Sequence, residues 1–218
     1  MTADHLRAGV ADACRRLADA GLLIGTAGNV SARSGDLVAV TATGVTLGGC
    51  TAADVTVVDL TGRVVEGTLA PTSELALHLG VYADGPAEQR GAVVHTHAPF
   101  ATAVACVLDE LPVLHYQQLA LGGAIRVAPY ATFGTPELAE AVRDALAGRG
   151  AALLANHGSV SIGGSLDQAV DNALLLEWLC QLHHRASALG PPRVLTDDQQ
   201  ADVIRVALER GYGSTQEI

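Results

Sequence analysis

His95 and His97 stand two residues apart in Ala-Val-Val-His-Thr-His-Ala-Pro-Phe, behind an apolar run. If Val93 and Val94 mark a strand, its side-chain period of two puts both rings on one face, roughly 6.5–7 Å apart along the chain. Two such rings can share one divalent ion at about 2.0–2.1 Å each, and a catalytic zinc site takes three protein ligands and keeps one position open. Further donors are therefore required, and Glu74 and His157 are the candidates. His157 lies between Asn156 and Gly158 at the end of a second apolar run, where loops leave a sheet and sites gather. On its own it reads equally as a turn histidine. Glu74 sits near a helix start, where the dipole favours a carboxylate whatever its use. Beside a cation it can bind the ion at rest and then accept a proton from the carbon next to a polarised carbonyl. His78, four residues on and on the same helical face, is a rival ligand that reads better as a hydrogen-bonding core histidine.

Three short segments of small and hydroxyl residues accompany this set: Gly25–Ser31, Thr43-Gly44 and Thr72-Ser73. Each can present backbone N–H groups and hydroxyls without bulk, so together they can cradle a phosphate, with Thr72-Ser73 next to Glu74 placing it beside the metal. Tyr116 and Tyr212 carry hydroxyls able to donate a proton, though alone they read as packing residues. His115, His183 and His184 read as structural or surface histidines, His5 as exposed, and Trp178 as a core anchor.

The elements that must position these groups follow from periodicity. Leu6, Val10, Ala13, Cys14 and Leu17 recur at helical spacing over residues 3–20, with Gly21 as the stop. Short β-rich runs (Leu37–Val40, Asp54–Asp59, Arg63–Glu66) alternate with glycine and threonine turns and predict a meander. Pro71 opens a helix, capped by Thr72 or Ser73, that reaches Tyr82; the buried strand Ala92–Thr96 precedes a helix over Phe100–Leu108. After Pro112 the pattern predicts a short strand, a turn at Gly122-Gly123, a strand Ile125–Ala128, and a helix from Pro136 to Ala147 capped by Thr135. Ala151–Ala155 is a last apolar strand, Val160–Ile162 continues extended, and a long helix over Leu166–Leu189 stops before Pro191-Pro192. Residues 196–210 read as helical. Mixed strands with helices on both sides predict one α/β domain over 1–218, a three-layer αβα sandwich.

The chain has 218 residues, 49% of them hydrophobic and 17% charged, enough for a large core. No run reaches the roughly 18 apolar residues of a membrane span and no signal peptide opens it, so a cytoplasmic protein is expected. With a net charge of −10 and scattered basic residues, nucleic acid and anionic membrane are poor partners. All 13 basic residues are arginine, so no lysine Schiff base and no P-loop is possible, and carbonyl chemistry would need a metal. Cys14, Cys50, Cys106 and Cys180 form no Cys-x-x-Cys pair and are expected as reduced, mostly buried thiols.

Seven ordered stretches, GTAGNVSAR (25–33), TATGV (41–45), PTSE (71–74), VVHTH (93–97), His115-Tyr116, APYATFGT (128–135) and NHG (156–158), resemble the class II aldolase/adducin family, and within it the zinc-dependent L-fuculose-1-phosphate aldolases. The resemblance spans nearly the whole chain and implies a central mixed, largely antiparallel sheet. It implies one Zn²⁺ per subunit held by His95, His97 and His157, with Glu74 as ligand in the free enzyme and proton carrier in turnover. The reaction implied is cleavage of a ketose 1-phosphate to dihydroxyacetone phosphate and a small aldehyde through a zinc-stabilised enediolate. Gly28, Asn29, Thr43, Gly44, Thr72 and Ser73 match the family's phosphate pocket, Thr72 replacing a serine of some relatives. Tyr116 matches a proton-exchanging tyrosine reaching in from a neighbouring subunit, Phe133 and Tyr212 match residues on the aldehyde side, and a homotetramer with sites at subunit interfaces is implied.

Rival activities on the same scaffold are an L-ribulose-5-phosphate 4-epimerase and a methylthioribulose-1-phosphate dehydratase, and, from another class, an adducin-like interaction module without catalysis. The epimerase places an acidic residue after the histidine pair, and none occurs over Leu114–Gly123. A module without catalysis has no need of the three histidines and Glu74.

Overall fold

A computed structural model describes residues 2–211. Its centre is one nine-stranded sheet formed by β1 (Asn29–Ser34), β2 (Leu37–Thr41), β3 (Val55–Asp59), β4 (Val64–Glu66), β5 (Ala92–Thr96), β6 (Glu110–Leu111), β7 (Ile125–Ala128), β8 (Ala151–Leu154) and β9 (Gly158–Gly163). The strands lie side by side in the order β4-β3-β2-β1-β5-β9-β8-β7-β6. Only β7 and β8 run parallel; every other pair is antiparallel.

Helices α1 (Ala3–Asp19), α3 (Pro99–Ala105) and α5 (Leu166–Leu189) bury their apolar stripes on one face of the sheet, in a core with Val30, Val57, Val94 and Leu153. Helices α2 (Leu75–Ala83) and α4 (Pro136–Ala145) cover the other face, packing Leu77, Val81, Leu138 and Val142 on Val38, Val93, Leu154 and Val160. The expected three-layer sandwich is the observed one. Strands β5, β8 and β9 are buried at every residue; β8 is wholly apolar, while β5 and β9 also bury His95, Thr96, Ser159 and Ser161. The sixth helix, α6 (Asp197–Arg210), begins at a Thr196/Gln199 capping box and has no buried residue. No helix among the described residues is long and apolar enough to cross a membrane.

Four expectations are corrected. Pro71 does not open α2; it makes an isolated bridge with Ala42, and the helix starts at Leu75. The residues after Pro112 form no strand: β6 precedes that proline, and residues 116–121 wind into a 3₁₀ segment capped by Gly122 in the left-handed conformation, φ 97°. Trp178 is no core anchor, being 42% exposed with an edge-on contact to His115, because α5 turns Leu176 and Leu179 inward instead. Ala151–Leu154 is not the last strand; residues 158–163 form β9, inserted between β5 and β8. Of the cysteines, Cys14, Cys50 and Cys180 are buried and Cys106 is exposed, all as free thiols.

Candidate metal centre

Strand pairing explains how residues 95, 97 and 157 converge. β5 and β9 are antiparallel neighbours with His95 opposite Val160 and Thr96 opposite Ser159, so the chain just past β5 meets the turn that leads into β9. That turn is three residues long, Ala155 to His157, because Leu154 pairs with Gly158. Asn156 takes φ 56° there, the only non-glycine with positive φ among the described residues, as a short hairpin loop with a left-handed residue requires. Gly158 admits no side chain, since a Cβ would lie 2.3 Å from the Thr96 carbonyl oxygen. His157 is both things its sequence suggested: a turn histidine and a member of the cluster.

The three rings stand edge to face at centroid separations of 4.8–4.9 Å, and one nitrogen from each lies within 4.8 Å of the others. His95 Nε2 is 3.1 Å from His97 Nε2 and 3.3 Å from Glu74 Oε2; His157 Nε2 is 3.7 Å from Glu74 Oε1. Tetrahedral ligands at about 2.05 Å from a metal stand about 3.3 Å apart, so this spacing is that of a donor shell. His95 Nδ1 lies 2.9 Å from the Ser159 carbonyl oxygen and must donate to it, which leaves Nε2 with its lone pair facing the cluster. Glu74 Oε1 is buried with no hydrogen-bond partner. A buried orphan acceptor beside inward-facing imidazole lone pairs fits a cation, and the residues present therefore suit the expected divalent metal.

The electrostatics agree. Burial holds His97 down to about 4, helped by its neighbours His95 and His157, and burial likewise lowers His157, so both rings are neutral donors. Burial would raise the Glu74 carboxyl, but attraction to His95 when that ring is protonated, with the Asn29 amide N–H, outweighs it and holds the carboxyl below its ordinary value. Glu74 occupies the N-cap position of α2 without capping it by its side chain. Its backbone N–H donates to the Thr72 hydroxyl, 3.2 Å, and its carboxylate faces His95 and His157. His78 is not a ligand. Its Nε2 lies 2.5 Å from Asn29 Oδ1 and its Nδ1 2.6 Å from Ser31 Oγ, while burial pushes its pKa down to about 3.

The cluster forms one wall of a cavity of about 430 Å³ lined by Gly28, Asn29, Thr43, Gly44, Thr72, Ser73, Glu74, His97, Phe133 and His157, among others. The three small-residue segments meet there because the Ala42–Pro71 bridge, with Thr43 N–H on Ala70 O and Thr72 N–H on Thr41 O, ties two of them together. Gly28, at φ 98°, passes so close to β5 that a Cβ would lie 2.8 Å from the His95 carbonyl oxygen. No arginine lines the cavity among the described residues.

Asn29 lines the cavity, but its side chain is only 5% exposed and is occupied, donating to Glu74 Oε2 at 2.8 Å and meeting His78 on its other side. Tyr116 lines a separate groove with Val203, Val206 and Arg210 of α6, outside the cavity that His97 and His157 line. Tyr212 lies outside the described residues. Sequence reasoning also passed over Tyr130, which lines the cavity beside Phe133, each 67% exposed. Two aromatics in the stretch 128–135 were the available signal.

The family described as Class II Aldolase and Adducin N-terminal domain matches residues 8–184. A 5-methylthioribulose-1-phosphate/5-deoxyribulose-1-phosphate aldolase of Rhodospirillum rubrum is 38% identical over 200 residues, 91% of this chain and 89% of that protein. The L-fuculose phosphate aldolase of Escherichia coli is 38% identical over 205 residues, 94% of each. A solved L-fuculose 1-phosphate aldolase superposes with a TM-score of 0.88 at 33% identity, covering 93% of this chain and 95% of that one.

Proposed function

Since this chain belongs to the Class II Aldolase and Adducin N-terminal domain family, we propose that it is a metal-dependent aldolase cleaving a ketose 1-phosphate into dihydroxyacetone phosphate and a small aldehyde. The observation that carries this reading is the orphaned Oε1 of Glu74 facing His157 within a set of three converging imidazoles, at the wall of a cavity rich in hydroxyl and small residues. His95, His97 and His157 would hold the cation, Zn²⁺ by preference for three imidazoles and a carboxylate, with Glu74 completing the set at rest. Such a cation polarises the ketose carbonyl and stabilises the negative charge that develops when the carbon–carbon bond breaks.

The chain's own groups supply the rest. Thr43, Gly44, Thr72 and Ser73 surround one end of the cavity with hydroxyls and backbone amides suited to a phosphate, Gly28 keeping the approach open. Glu74, anchored by Asn29 through one oxygen, keeps the other for proton transfer at the carbon next to the carbonyl. Phe133, with Tyr130, forms an apolar wall suited to the aldehyde's methyl end. Tyr116 would act in the site of a neighbouring copy, as in a homotetramer, consistent with its place in a groove outside its own chain's metal cavity.

Two relatives, one named for L-fuculose phosphate and one for 5-methylthioribulose and 5-deoxyribulose 1-phosphates, differ in the sugar tail and share the ketose 1-phosphate head. The decisive experiment offers the metal-loaded protein 6-deoxyhexulose and 5-deoxypentulose 1-phosphates, a methylthiopentulose 1-phosphate and a pentulose 5-phosphate. We expect dihydroxyacetone phosphate from at least one 1-phosphate, none from the 5-phosphate, and no epimer. Water loss without carbon–carbon cleavage would establish the dehydratase instead, and epimerised 5-phosphate the epimerase.

A further inference from the structure

Behind Glu74 the polar groups run in single file through an otherwise apolar layer: Asn29, His78, Ser31 and Tyr82, exposed by 5%, 0%, 0% and 1%. Their order alternates between two elements, since Asn29 and Ser31 belong to β1 while Glu74, His78 and Tyr82 recur every four residues along α2 from its N-cap. Four helical residues advance about 6.0 Å and two strand residues about 6.6–6.8 Å, so the two ladders stay in step over this length and interleave. Arg33, the next residue on that face of β1, donates from Nη1 to the Tyr82 carbonyl oxygen at 3.0 Å and pins the far end.

We propose that His78, Ser31 and Tyr82 are positioning residues, a one-way file of hydrogen-bond donors that holds Asn29 with its amide NH₂ toward Glu74. The sense of the file follows from its end. An ionised carboxylate can only accept, so Asn29 gives Nδ2 to Glu74 and its Oδ1 must accept from His78 Nε2–H. His78 is then the neutral Nε2–H tautomer, and its Nδ1 accepts the single Ser31 hydroxyl proton. With that proton committed, Ser31 Oγ is left to accept from the Tyr82 hydroxyl, 2.6 Å away. Reversing any link would turn Asn29 and set its carbonyl oxygen against the carboxylate. Asn29 thereby steers Oε2 and leaves Oε1 as the free oxygen, which rests on the reading of Glu74 as the proton-transfer group.

The test has one arm that needs neither metal nor substrate. In metal-free protein carrying ¹⁵N-histidine, His78 is expected as the neutral Nε2–H tautomer, and the Asn29 side-chain amide is expected to exchange slowly. A His78 in the Nδ1–H form, or doubly protonated at neutral pH, overturns the file. In the kinetic arm, His78→Leu lowers kcat by about 10–100-fold, the range for partners one step removed from a metal site, with KM and bound metal little changed. His78→Gln, which keeps a donor for Asn29, recovers part of the loss, and Tyr82→Phe gives a smaller fall. A folded His78→Leu protein with full kcat, or no recovery with Gln, also overturns it. If His78→Leu does not fold, the tautomer and the Asn29 amide in the unmutated protein decide alone. A protein inert toward every sugar phosphate, yet showing that tautomer, would refute the aldolase reading and leave the file standing.

Discussion

His95→Ala is expected to strip the protein of its divalent ion and its cleavage activity together. His95 is fully buried, its Nδ1 is committed to the Ser159 carbonyl, and its Nε2 stands 3.1 and 3.3 Å from the His97 nitrogen and the Glu74 oxygen, the central position in the donor set. Removing it leaves two imidazoles that no longer define a shell. Because Lewis-acid stabilisation is worth several kcal/mol, cleavage should fall by about 10³-fold or more. Metal analysis of the purified variant beside the activity assay is the check, with circular dichroism to establish that the vacated volume has not unfolded the sheet. Full metal occupancy in a folded variant would remove His95 from the ligand set.

Glu74→Gln should separate binding from chemistry. The amide keeps the shape of the carboxylate and an oxygen for Asn29, and three imidazoles remain, so the metal stays largely bound. The amide is no base, and cleavage should drop by about 10²–10⁴-fold, the usual contribution of a general acid–base group. A half-reaction isolates the step: incubated with dihydroxyacetone phosphate in deuterated water, the unmutated enzyme should wash out one hydrogen of the hydroxymethyl carbon, and the variant should not. Turnover and exchange at the original rate would exclude Glu74 from proton transfer.

Where local physics decides, the sequence was legible. Helix α5 runs over Leu166–Leu189 as its Pro191-Pro192 stop predicts, and α4 starts at Pro136 beneath its Thr135 cap. His95, His97 and His157, with Glu74, were legible because their chemistry is conspicuous in a chain without lysine. Where partners lie far apart in sequence, it was not. Nothing local reveals that β9 slots between β5 and β8, so residues 158–163 read only as extended chain. Asn29 read as part of a phosphate loop; that it opens β1 with its side chain turned to Glu74 depends on packing β1 against α2. Glu74, His78 and Tyr82 at helical spacing, and Asn29 and Ser31 at strand spacing, were all visible, but the register joining them was not. The 3₁₀ segment that carries Tyr116 was illegible for a related reason, since such a turn has no strong periodic signature.

His95, His97 and His157 sit at one end of neighbouring strands, whereas Glu74 reaches them from α2, which lies over one face of the sheet and belongs to a different layer. A cation bound by all four would rivet chain segments that are remote in sequence, and the unfolded chain has no equivalent of that rivet. Occupancy then adds to folding free energy, by about 2.7 kcal/mol when free ion exceeds its dissociation constant a hundredfold. The melting temperature should climb with added zinc and fall under a chelator, and Glu74→Gln should reduce that response only as far as it weakens the ion's hold. Metal supply would thus govern how long each copy survives as well as how fast it works.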